Sequence, residues 1–237
     1  MGVMKENFLR NAHDTTFSPT GLYNFVKDSE LVDSSGNSKT LTEYNAATDD
    51  SDFIFGEAEG LSHFSYYRNN GSDFQYTGSM SFCGLVNVQK FDTDASNDHV
   101  AIVICDTGGA GNDARFGLYF NPDYKLRYFH QNNGSNSELV ASSRVRSRHT
   151  WHHVAFTKDS NGTGIKIYLN GVEVASGTLG SASGTQGTGY LAFGGAHNAT
   201  NETNDVVISS CAIYDQELSA NQIKYLARKT LGYDRVK

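Results

Sequence analysis

The chain predicts an all-β fold, a two-sheet antiparallel sandwich or jelly roll with one short C-terminal helix. Three observations carry this expectation. Many short runs of strand-forming residues are separated by turn signals. Gly makes up 24 of the 237 residues and charged residues only 19%, a turn-rich composition. Helical periodicity with both caps occurs once, near the C-terminus. A chain of this length can bury a substantial core as one domain.

The elements follow in order. Residues 1–19 are polar and irregular and end at Pro19, so they read as a flexible arm ahead of a single sandwich over 20–237. From Gly21, Leu22, Asn24 and Val26 alternate with Tyr23 and Phe25, which predicts a first strand. Asp33-Ser-Ser-Gly-Asn37 predicts a turn whose Asp33 carboxylate accepts backbone N–H groups two residues on. Gly78–Val88 is the next strand, and His99–Cys105 is a continuous apolar run expected in a sheet centre. Arg115–Phe120 and Lys125–His130 flank Asn121-Pro122-Asp123 as a hairpin. Trp151–Thr157 and Ile165–Asn170 flank a turn at Asn161–Gly164, and Asn170-Gly171 is a second turn of the type I′ kind. Tyr190–Gly195 and Val206–Tyr214 complete the strands. Ser219 and Gln222 form a capping box, Leu218 and Ile223 a hydrophobic staple, and the helix ends near Leu231-Gly232. The expected core is Phe82, Val86, Ile102, Ile104, Leu118, Phe120, Trp151, Val154, Phe156, Ile167, Leu169, Phe193, Ile213, Leu218 and Ile223.

Charge and cysteine usage exclude several classes. The formal net charge is −7 with no basic block, so no nucleic-acid partner is expected. Arg144, Arg146, Arg148 and His149 form one basic cluster. It reads as a solvated loop, with a site for an anionic sugar or a partner carboxylate as the sharper alternative. No segment reaches the roughly 20 apolar residues of a membrane span. Met1–Asn11 has no charged n-region followed by an apolar run, so no export signal is expected. Cys83, Cys105 and Cys211 each lie in an apolar run and read as buried thiols. Both features predict folding in a reducing cytoplasm. The five Asn-x-Ser/Thr sequons fit chance in so Asn-, Ser- and Thr-rich a chain.

The phrases Trp151-His-His-Val154 and Tyr168-Leu-Asn-Gly171 resemble those of the laminin-G-like, concanavalin A-like lectin/glucanase sandwich family. The Asp33–Asn37 turn, Gly78–Phe82, Tyr190–Gly195 and Ile213–Ile223 extend the resemblance over most of Gly21–Tyr233. It implies a concanavalin A-like jelly roll, used mainly for recognition. The family's final strand often carries an acidic pair that can help hold calcium. Ser209 and Ser210 stand there, which puts a family-type metal site in doubt.

A retaining glycosidase needs two carboxylates roughly 5–5.5 Å apart. Glu57-Ala58-Glu59 has a compatible spacing but reads as a loop pair, so no enzyme is expected. His152 and His153 face opposite sides of a strand and cannot chelate one metal together. No cofactor is expected. One structural calcium stays open with unassigned ligands, among Asp33 and Asn37, Asp92, Asp94 and Asp98, or Asn204 and Asp205. Sugar binding needs aromatic platforms beside planar polar groups. Tyr66, Tyr67, Arg68 and Asn69 (with Asn70), in what reads as an exposed loop, are one candidate site. Tyr124, Tyr128 and His130 (with Asn132) around the hairpin are the other. The resulting expectation is a non-enzymatic recognition module for a glycan or protein surface, with a homo-oligomer left open. The alternative is a virion structural protein, such as a phage decoration, fibre or spike protein, assembling with capsid or tail proteins and ending on the virion surface.

Overall fold

The computed structural model describes residues 15–25, 32–44, 48–52, 56–61, 66–70, 78–88, 100–106, 115–121, 123–132, 135–145, 150–180, 190–194 and 206–232. They form strands β1 (Gly21–Asn24), β2 (Thr42–Tyr44), β3 (Thr48–Asp52), β4 (Gly56–Leu61), β5 (Tyr66–Asn70), β6 (Met80–Val88), β7 (Val100–Asp106) and β8 (Arg115–Phe120). Then come β9 (Lys125–Asn132), β10 (Ser135–Arg144), β11 (Trp151–Lys158), β12 (Gly164–Leu169), β13 (Val172–Thr178), β14 (Tyr190–Phe193) and β15 (Val206–Tyr214). One helix, α1 (Ala220–Leu231), follows. Two antiparallel sheets result. The first runs β13-β12-β11-β6-β15-β4-β3, with β1 also paired to β15, and the second runs β10-β9-β8-β7-β14-β5-β2.

The sandwich interior is apolar and rich in rings. Phe82, Val86, Val154, Phe156, Ile167 and Ile213 of the first sheet meet Val103, Leu118, Phe120, Tyr128 and Phe193 of the second. Phe82 stacks on Phe156 at 6.0 Å, and Tyr128 tilts against Phe156 at 5.0 Å. All expected core residues are buried except Leu169, which is half-buried and packs against this cluster. Strands β6, β11 and β15 are buried along their whole length. The reason is a second cluster on the outer face of the first sheet, where Leu22, Cys83, Ala155, Tyr168, Ala212 and Tyr214 meet Leu218, Ile223 and Leu226. Each apolar anchor of the helix contributes roughly 2 kcal/mol by burial.

The helix begins where the capping box predicts. Ser219 accepts from the Gln222 backbone N–H, and the Gln222 side chain accepts from the Ser219 N–H. Gly232 ends it in the left-handed region at φ 76°. Buried Ser81 fixes the approach to the helix: its hydroxyl donates to the Gln216 carbonyl and accepts from the Leu218 N–H.

The Trp-His-His-Val and Asn-Gly phrases form one structural unit. Asn170 adopts φ 52°, donates its N–H to the His153 carbonyl and accepts the His153 N–H on Oδ1. Its amide nitrogen lies 3.3 Å from His152 Nδ1. Gly171 has φ 79°, and a Cβ there would lie 2.9 Å from the Ala227 Cβ. Glycine is therefore required twice, by the turn and by the helix docked on it. Asp33 also behaves as the sequence predicts. Its carboxylate accepts from the backbone N–H groups of Leu22, Ser35 and Lys39 and from the Ser35 hydroxyl. Burial raises its pKa, but these four donors prevail and hold it below the ordinary value.

Several expectations are corrected. Glu57-Ala58-Glu59 lies in β4, paired to β3 and β15, and is no loop. Tyr66–Asn70 is strand β5, inside the second sheet, and is no exposed loop. Strands β2, β3 and β10 carry too few apolar residues to announce themselves, being polar strands near sheet edges, whereas the Asn170-Gly171 turn does lead into β13. Residues 1–14 of the expected arm lie outside the described residues. Phe17 is docked: its ring meets Tyr225 edge-on at 5.9 Å, and its carbonyl accepts from the Gln216 side chain. The three cysteines are buried and outside any disulfide. Cys211 belongs to the interior cluster and Cys83 to the outer one, so these neighbours face opposite sides of the sheet.

Candidate functional site

Strand alternation sorts the expected ligand residues onto two faces. Residues directly opposite in antiparallel strands point the same way. Tyr67 opposes Phe193 and is 2% exposed, packed face to face with Phe25. Asn69 opposes Leu191, is buried and donates to the Thr40 carbonyl. Tyr128 and His130 oppose Leu118 and Phe116 and are 1% and 3% exposed. These four residues are part of the interior and offer nothing to a surface ligand. Arg68 stands on the outward face, opposite Ala192 and Thr42. Tyr124 sits apart at the β8–β9 turn with φ 63°, half-buried against the core. The side chains of Tyr66, Asn70 and Asn132 lie outside the described residues.

The outward face of the second sheet carries what the sequence reading missed. One row of directly opposite residues crosses it: Glu138, Phe129, Gly117, Ile104, Ala192, Arg68 and Thr42. The Phe129 ring lies across Gly117, because a Cβ there would meet Phe129 Cε1 at 2.8 Å and Ile104 Cγ1 at 3.2 Å. In the adjoining row, Tyr119 opposes Arg127, whose guanidinium lies over the Tyr119 ring at 5.2 Å. Arg127 is also ion-paired with Glu138. Tyr119 tilts against Phe129 at 5.4 Å. Half-buried Phe129 and Arg127 and exposed Glu138 thus converge on β9 and β10, while Tyr119, Ile104 and Ala192 of the same face are buried beneath and beside them. The missed signal was the parity of Lys125 and Arg127: charges on a half-buried strand mark its solvent face, so Phe129 shares it. Of the basic cluster, exposed Arg144 pairs with Asp123 at 3.3 Å, and residues 146–149 lie outside the described residues.

A buried polar group closes one end of the interior. Lys158 is 1% exposed and points between the sheets, its ammonium 5.1 Å from the centre of the Phe116 ring. Phe116 lies directly between Cys105 and His130 on β7 and β9. Burial pulls the Lys158 pKa down to about 8, against the opposing pull of Cys105 and Asp159. Burial also lowers the His130 pKa; a Gly180 backbone hydrogen bond opposes this, and Lys158 adds to it.

A family model described as the concanavalin A-like lectin/glucanases superfamily matches residues 61–224, more than half of the chain. The chain belongs to this superfamily. No curated protein sequence matches it. Among solved structures, domain 4 of AbnA, an extracellular arabinanase of Geobacillus stearothermophilus in complex with arabinotriose, is similar at TM-score 0.69 and 19% identity. The match covers 89% of this chain and 98% of that one. The binding domain of botulinum neurotoxin serotype C1 is similar at TM-score 0.70 and 16% identity, over 92% of this chain and 53% of that one. The neurotoxin DC binding domain in complex with rat synaptotagmin II is similar at TM-score 0.70 and 14% identity, over 92% and 52%. The chain spans about half the length of these toxin domains. At such identities the likeness shows the shared fold.

Within the lectin/glucanase fold, the place of the family's acidic pair is taken by buried Ser209 and Ser210 at an irregularity of β15. Asp33 and Asn37, weighed above as calcium ligands, are engaged in the turn. Asp33 has the four donors given above, and the Asn37 amide donates to the Pro19 and Thr20 carbonyls. Asp92, Asp94, Asp98, Asn204 and Asp205 lie outside the described residues.

Proposed function

We propose that this domain is a non-catalytic recognition module for carbohydrate, and that the ligand lies on the outward face of the second sheet. The observation that supports this most is the convergence of half-buried Phe129 and Arg127 with exposed Glu138 on that face, Arg127 being held over the buried Tyr119 ring. Sugars present flat apolar faces beside hydroxyls, and this pairing of the Phe129 ring with charged hydrogen-bonding groups suits both. The first sheet is less suited, since α1 and Phe17 cover its outer face. The arabinotriose-bound neighbour adds support by analogy of fold.

The test is a glycan array followed by calorimetry on the best class, arabinan oligosaccharides included. Saturable binding is expected, weakened at least about tenfold by Phe129→Ala and by Arg127→Ala. A chelator leaves it unchanged, because no metal is part of the proposal. A blank array, or binding untouched by both substitutions, overturns the reading. A blank array also favours the virion alternative, in which the sandwich contacts capsid or tail proteins.

A further inference from the structure

Four side chains on the outward face of β9 and β10 form a checkerboard. Phe129 stands opposite Glu138, and Arg127 opposite Val140. The intervening Leu139 and the following Ala141 turn to the interior cluster, so Glu138 and Val140 share the outward side. One diagonal of this square is charged, since Arg127 is ion-paired with Glu138. The other is apolar, Phe129 being half-buried and Val140 41% exposed. Diagonal neighbours stand about 7–8 Å apart at the backbone, within reach of long side chains. The buried Tyr119 ring holds the Arg127 guanidinium in place from beneath, at 5.2 Å.

The charge of the square is already balanced. An anionic group placed on Arg127 would stand beside the Glu138 carboxylate, and such like-charge juxtaposition selects against a ligand. A cationic group placed on Glu138 would meet the guanidinium in the same way. A hydroxyl carries no such penalty. It can accept from a guanidinium, which only donates, or donate to a carboxylate, which only accepts. Lys125 faces the same way on β9 but lies four residues from Phe129, about 13 Å along the strand. An acid group drawn to Lys125 therefore leaves the ring behind. Arg144, opposite Lys125, is held by Asp123.

We infer, on the recognition reading above, that this square selects an uncharged sugar unit. Its C–H face lies on Phe129 and Val140, one hydroxyl accepts from Arg127, and a neighbouring hydroxyl donates to Glu138.

Calorimetry on the full chain tests this with matched sugars. The probes are arabino-, galacto- and gluco-oligosaccharides, each beside the same chain oxidised at its primary carbons to uronates. At least one neutral member is expected to bind, at least about tenfold tighter than its uronate. Glu138→Gln removes the competing charge, so the neutral sugar should weaken while the uronate gains. An O-methylated sugar, which can no longer donate to Glu138, should bind the wild type more weakly, and Glu138→Gln should feel that methylation less. Urea unfolding checks that the exposed substitution keeps the fold. A uronate that binds as tightly as its neutral form, and is lost in Phe129→Ala, overturns the selection and leaves the recognition proposal standing. A ratio of neutral to uronate binding that Glu138→Gln leaves unchanged does the same. No binding by any sugar, or binding indifferent to Phe129→Ala and Arg127→Ala, sinks the recognition proposal and this one with it.

Discussion

Replacing Lys158 by Met should stabilise the protein at neutral pH, and the gain should disappear in alkali. Lys158 is 1% exposed and surrounded by Phe116, Cys105 and His130 across the interior, with Asp159 beside it on its own segment. Its pKa falls from 10.5 to about 8 in the folded protein. Over that interval the unfolded chain holds the proton and the native one has released it, so stability rises with pH. Below about pH 8 both states carry the charge, and the native state bears its full desolvation cost, about 3 kcal/mol for this change in pKa. The Phe116 ring offsets roughly 1 kcal/mol of that cost by cation–π attraction. Met keeps the length of the stem and removes the charge. Urea denaturation of wild type and variant at pH 7 and at about pH 10 measures the difference. The variant should be more stable by about 2–3 kcal/mol at pH 7, and the gap should close as the wild type gains stability with pH. Parallel pH profiles, or a variant less stable at pH 7, would refute the reasoning.

Three further outcomes are expected. Gly171→Ala should cost at least about 2 kcal/mol in thermal or urea unfolding, since the new methyl meets Ala227 at 2.9 Å and the residue has φ 79°. Asp33→Ala should cost about 2–3 kcal/mol at pH 7 by leaving buried donors without their carboxylate. Because the folded pKa of Asp33 is depressed, that cost should shrink as pH falls below 3.8, measured as the difference between the two unfolding curves. His130, its pKa lowered mainly by burial, contributes stability that is present above pH 6.5 and lost on acidification; His130→Gln should flatten the unfolding profile below pH 6.5.

The central strands and the helix were legible because their residues obey one dominant rule each. Trp151–Lys158, with its Trp-His-His-Val phrase, and the mainly apolar Val206–Tyr214 are buried on both faces, and the 219–232 segment carries its own caps. The strands between 42 and 61 were not legible. Thr-Asp-Asp-Ser-Asp has no apolar pattern, and only pairing with its neighbour makes it a strand. The candidate site was half legible for the same reason. Tyr66 to Asn69 and Tyr124 to His130 contain the right residue types, but a contiguous segment of a strand is never one surface. Tyr67, Asn69, Tyr128 and His130 went inside, while Arg68, Arg127 and Phe129 stayed out. A one-residue shift of parity moves every candidate to the other face. Glu138 could not be foreseen, because its place beside Arg127 depends on the β9–β10 register.

The helix decides which face is free for recognition. A sandwich has two outer sheet faces, and a sequence rich in apolar strands must cover one or both. Here Leu218, Ile223 and Leu226 close the outer face over β6, β11 and β15, and Gly171 gives up its side chain to let the helix approach. That cover lets β6, β11 and β15 be buried on both sides. The second sheet has no such cover from the helix, and on its outward face Arg127 lies over Tyr119 and Phe129 across Gly117. A side chain of ordinary size at 117 would push Phe129 off the sheet, so Gly117→Val should weaken glycan binding while the helix-backed sheet keeps its fold. Binding and unfolding measured on that one variant separate the two roles, and a loss of stability equal to the loss of binding would show that the rings on the second sheet serve packing alone.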